Sequence, residues 1–264
     1  MANLHKLLLA VFILFGLIVN AAYSQILSED QAAKETYIDG LRLLNSDLQE
    51  PRLNNLGIHM GYVDKEVRPG NGKYFCGSLT KTESVKNGKI IFKALSILSD
   101  SSLKKLGMKY LILCSRTMAG GQEIGGIPVP PLNLLMLGVG GGDNNSDYLQ
   151  NIFLHELYHL IEYRFNSFND AEWLRRFGTG YANSYRGLMK RSSIGSGKKG
   201  FLNIYAMSFP REDRAELFAN LLLMPDKVIA HIRSTNDQLL KEKVIYLVKK
   251  SERLIGLRIS LPGL

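Results

Sequence analysis

Ser146 to Phe165 reads SDYLQNIFLHELYHLIEYRF, and its pattern organises the rest of the chain. Leu149, Ile152, Phe153, Leu157, Leu160 and Ile161 recur at helical spacing and form one apolar stripe, while Asn145 or Ser146 supplies an N-cap. Within that helix, residues 155 to 159 are His-Glu-Leu-Tyr-His. Imidazoles at i and i+4 lie about 40° apart around a helix and can share one metal ion. The Glu beside the first of them then reaches a water on that ion as a base. The competing reading is a pair of core histidines, each of which would need a hydrogen-bond partner on a partly buried face.

Upstream of this helix the pattern differs. Short apolar runs broken by Gly and Asn, at Tyr74 to Leu79, Lys89 to Leu98, Lys109 to Cys114 and Leu132 to Val139, predict strands, with a helix at Ser101 to Leu106. A capping box at Ser28 and Gln31 opens an earlier helix extending to about Leu44. Downstream, Pro210 suits the first turn of a helix through RAELFANLLL that stops before Pro225, and one more amphipathic helix is centred on Val244 to Leu254. Between these lies a long connection holding Trp173 and the basic stretch Ser192 to Gly200. Strands first and helices after, without repeats or a linker, predict one α+β domain.

A catalytic zinc keeps three protein ligands and leaves a position for water. A third His ten residues after the first would fall on Phe165, and a Glu twenty residues after His159 would fall on Thr179. Glu162, Asp170 and Glu172 are near in sequence, the first expected on the surface and the others in a loop. The remaining candidate is the segment Tyr205 to Ala219, in which Glu212 and Glu216 share a helix face. Such a carboxylate pair repels weakly and calls for a cation. Arg211 and Arg214 can supply one, and so can zinc.

His155-Glu156-x-x-His159 followed by Tyr205 and, seven residues later, Glu212-x-x-Ala215-Glu216 opening a helix resembles the anthrax lethal factor-like gluzincins, including the Pro-Pro endopeptidases. The resemblance spans about residues 130 to 224. It implies a zincin-like single catalytic domain with a small N-terminal sheet bearing an edge strand, an active-site helix and C-terminal helices. It further implies a zinc-dependent peptidase acting on a peptide or protein substrate, with one Zn2+ held by His155, His159 and Glu212. Glu156 would be the general base, Tyr205 a catalytic donor and Glu216 an outer-shell group. Pro131 to Gly138 would be the edge strand that pairs with extended substrate, where the residues alone equally allow an internal strand. The 53 residues separating His159 from Glu212 exceed the spacing in those families.

Composition sets the context. The 264 residues are 45% hydrophobic with a formal net charge of +9. Basic residues are scattered, without an aromatic-interleaved stripe, so nucleic-acid binding is not expected. MANLHK, an apolar run of 13 residues and Ala22-Tyr23-Ser24 form a secretory signal layout. The expected organisation is a signal peptide over 1–24 and a metallopeptidase domain over 25–264, secreted or periplasmic after cleavage near Ser24/Gln25. The alternative is an anchor over residues 7–22, although the run is short of the roughly 18 to 20 residues that span a bilayer comfortably. No stable membrane insertion of the mature domain is expected. Cys76 and Cys114 either pair or stay as buried thiols, since sequence does not show whether their strands are neighbours.

Overall fold

The computed structural model describes residues 40–69, 72–140, 146–167, 170–178, 180–185, 193–261 and 263. The expected signal segment, the helix start at Ser28 and the Asn145 cap lie outside them. In chain order the strands are β1 (Leu41–Leu43), β2 (His59–Val63), β3 (Tyr74–Cys76), β4 (Tyr110–Cys114), β5 (Thr117–Ala119), β6 (Gln122–Ile124), β7 (Gly126–Val129) and β8 (Leu134–Gly138). The helices are α1 (Asn45–Leu48), α2 (Pro51–Asn55), α3 (Lys81–Leu95), α4 (Asp100–Leu106), α5 (Ser146–Arg164), α6 (Asp170–Phe177), α7 (Pro210–Leu223), α8 (Pro225–Thr235) and α9 (Gln238–Ile255). The fold is α+β, as expected.

Five strands form a sheet in the order β1-β2-β4-β8-β7, and β3-β5-β6 form a smaller antiparallel sheet. β2, β4 and β8 run parallel, while β1 and β7 close the two edges antiparallel. Buried on both faces, the central strands read as nearly continuous apolar runs. The two-residue period still sorts their side chains. Leu111, Leu113, Leu135 and Leu137 join the helical core, whereas Ile112, Cys114, Leu134 and Met136 join a second core on the opposite face.

The structure corrects four expectations. Lys89 to Leu98 is not a strand but the second half of α3 and the turn beyond it. Ile91, Ala94, Leu95 and Leu98 are buried at helical spacing, and the helix starts well upstream, where Thr80 and Glu83 form a reciprocal capping box. The proposed edge strand is also reassigned, because β8 is paired on both sides, to β4 and β7. Pro130–Leu132 is a 3-10 turn, and on this side the sheet ends in β7, which pairs with no further strand among the described residues. Pro128 agrees with that position, since a residue without an N–H is tolerated in a sheet chiefly at its edge. Leu41–Leu43, expected to end a helix, is a strand, and the expected loop holding Trp173 contains α6.

Cys76 and Cys114 form a disulfide across a sequence separation of 38, and no free cysteine remains. It joins the end of β3 to the end of β4 and so ties the small sheet to the large one. Closing a loop of that size removes conformational freedom from the unfolded chain. Replacing both residues by Ala, or reducing the protein, is expected to lower the unfolding free energy by about 2–4 kcal/mol in a denaturant titration. An unchanged midpoint would mean the tie is superfluous.

Candidate metal centre

α5 and α7 pack face to face, and the site lies where they meet. His155 and His159 stand one turn apart on α5. α7 begins at Pro210, whose missing N–H costs nothing in a first turn. Glu212 follows inside that first turn, where the positive end of the helix dipole favours a carboxylate. Glu216 stands one turn further along.

Three lone-pair atoms converge there. His155 Nε2 lies 3.1 Å from Glu212 Oε2, His159 Nε2 lies 3.3 Å from the same oxygen, and the two Nε2 atoms are 3.2 Å apart. A tetrahedral ion with bonds of 2.0–2.1 Å requires ligand-to-ligand edges of about 3.3 to 3.4 Å. The observed triangle is close to that size, with His155 and Glu212 buried and His159 partly open. His155 Nδ1 is 2.8 Å from Glu216 Oε1. With its proton on Nδ1, toward that carboxylate, the imidazole would turn the Nε2 lone pair to the triangle. The residues therefore fit a zinc ion. His155, His159 and Glu212 can hold it, and Glu216 would orient His155.

Glu216 is itself anchored. Its Oε2 accepts from Asn203 Nδ2 at 2.6 Å, while Asn203 Oδ1 accepts from the Ala206 amide at 2.9 Å. Burial raises the Glu212 carboxyl, but the two imidazoles outweigh it and hold the group well below the usual carboxylate range.

Glu162 and Asp170, weighed above as ligands, are committed elsewhere. Arg214 Nε and Nη2 grip Glu162 at 2.6 and 3.0 Å, and Nη2 also meets Asp170 Oδ1 at 2.7 Å. Glu162 is consequently buried rather than on the surface. Glu172 pairs with Arg176 at 3.1 Å. Of the two arginines offered as alternative cations, Arg214 points away to Glu162, while Arg211 Nε touches Glu212 Oε1 at 3.1 Å. It leaves Oε2 to the imidazoles.

The triangle opens into a cleft of about 760 Å³ that Glu156, Tyr205 and the β7 edge also line. Glu156 seats against Gly126, where a Cβ would come within 2.6 Å of its Cγ. The Tyr205 ring lies 5.8 Å from that of His155. Sequence reading missed Tyr185, which lines the same cleft and donates to Glu212 Oε1 at 2.7 Å. Burial, and then the Glu212 charge, push its phenol up to about 12. No spacing rule would have singled it out, because it lies 27 residues before its partner in a connection without periodicity.

No family model matches the chain, and no curated protein matches it. Among solved structures, a candidate zinc-binding metallopeptidase from Bacteroides caccae is similar at 17% identity, covering 68% of this chain and 72% of that one with a TM-score of 0.45. That overlap is too loose to transfer a fold or an activity.

If Glu212 is the third ligand, Glu212→Ala is expected to lose most of its zinc in elemental analysis, while Asp170→Ala and Glu172→Ala keep it. The reverse pattern would contradict the assignment.

Proposed function

We propose that the protein is an exported zinc-dependent endopeptidase. The carrying observation is the triangle of His155, His159 and Glu212 with Glu156 beside it, opening into a cleft bordered by a free strand edge. The gluzincin-like motif order agrees with this reading. Export is supported by the signal-like start and by the Cys76–Cys114 disulfide, a bond that persists in oxidising compartments.

In this reading an extended peptide pairs with β7, main chain to main chain, and lies across the cleft. Zinc held by the three ligands supplies Lewis-acid activation of water and of the scissile carbonyl. Glu156 takes a proton from the attacking water as the new C–O bond forms. It returns the proton to the amine when the C–N bond breaks. Tyr205 donates a hydrogen bond to the carbonyl oxygen as negative charge develops there. Tyr74, Ile124, Val129, Tyr148 and Tyr163 give the cleft a largely aromatic and aliphatic wall, which favours bulky uncharged side chains.

Glu156→Gln preserves shape but cannot accept the proton. It is expected to keep stoichiometric zinc while peptide-library hydrolysis falls by roughly 10² to 10⁴. Tyr205→Phe should keep zinc and lower turnover by roughly 10² to 10³ with little change in substrate binding. Cleavage by Glu156→Gln at the parent rate would remove Glu156 as the base. A parent protein that binds zinc but cleaves no member of a diverse library would favour a zinc-binding scaffold.

A further inference from the structure

Glu212 has two carboxylate oxygens, and their surroundings differ. Oε2 faces the imidazoles. Oε1 accepts from the Tyr185 hydroxyl at 2.7 Å and from Arg211 Nε at 3.1 Å. Arg211 Nη2 in turn donates to the Tyr185 oxygen at 2.7 Å. The three groups close a ring of hydrogen bonds on one oxygen of one side chain. The Tyr185 ring packs 4.7 Å from Phe209 and 6.2 Å from Tyr205, and the Arg211 guanidinium lies 5.2 Å from the Phe209 ring.

A carboxylate gripped in this way cannot turn to offer both oxygens to one ion. On the metal reading above, we propose that Tyr185 and Arg211 are positioning residues that make Glu212 a one-oxygen zinc ligand and set the metal affinity of the site. Restricting Glu212 to Oε2 keeps the protein ligand count at three donor atoms, which leaves the open position that a catalytic zinc needs for water. Fixing the carboxylate before the metal arrives also spares the ordering cost at binding, as hydrogen bonds to ligand groups generally do.

Zinc affinity of the purified chain, measured by competition with a chromophoric chelator, tests this directly. Tyr185→Phe removes one hydroxyl and should weaken zinc binding about 10- to 100-fold, while the metal-free protein unfolds within about 2–4 °C of the parent. Arg211→Lys keeps the charge but loses the two-point fork, and should weaken binding in the same direction. Because both act through Oε1, the double variant should lose less than the product of the single losses. Parent-like zinc affinity in Tyr185→Phe overturns the proposal, as does a lowered melting temperature with unaltered affinity, which marks a purely structural role. If Tyr185→Phe does not fold, Arg211→Lys decides on the same criterion. A parent that binds no zinc sinks the metal reading itself, a result distinct from equal binding by parent and variant.

Discussion

Helix α7 carries Glu212, Asp213 and Arg214 in succession into the protein interior. Burying three charged side chains in a row is tolerable only if each meets a partner of opposite charge or a strong hydrogen-bond donor. The partners come from different elements. Arg214 takes Glu162 of α5 and Asp170 of α6, Lys243 of α9 takes Asp213 at 2.7 Å, and Glu212 is left facing the imidazoles of α5. Lys250, also from α9, closes on Glu162 at 2.9 Å. Each ion pair fixes the axial and rotational position of α7, and breaking one such pair typically costs 3–5 kcal/mol. The register of α7 against α5, and with it the triangle, follows from that set of pairs.

In the tautomer with the His155 proton on Nδ1, Nε2 would be an acceptor facing another acceptor, Glu212 Oε2. Acceptors 3.1 Å apart in a buried setting repel unless a proton or a cation lies between them. A single proton on His159 can bridge one edge of the triangle. A divalent cation satisfies all three edges at once, and its charge compensates the carboxylate in the same place. The fold thus brings three ligand atoms to the spacing that one divalent ion could occupy.

Much of this was legible in the chain. The HExxH spacing is dictated by metal geometry on a helix, so it survives the absence of any tertiary information. Lys109 to Cys114 and Leu132 to Val139 were readable as strands because a short run bounded by turns leaves little room for a helix. The run from Lys89 to Leu98 misled because it fits a strand locally, while its helix begins at Thr80, outside the apolar stretch. Edge and interior strands are also hard to separate. β8 is flanked only because the residues just before it fold back as β7, and four residues of GIPV give a weak signal. The disulfide depends on β3 and β4 ending side by side, a fact of topology rather than of spacing. Tyr185 and the Glu162–Arg214 pair were invisible for the same reason.

The proposed centre holds one ion in one place. Diffraction data from crystals of the zinc-treated protein, collected on both sides of the zinc absorption edge, address it most directly. The expected result is a single anomalous peak about 2.0–2.2 Å from His155 Nε2, His159 Nε2 and Glu212 Oε2, with Glu212 Oε1 still held by Tyr185 and Arg211. An absent peak at full zinc loading, or an ion bound by a different set of residues, would contradict it.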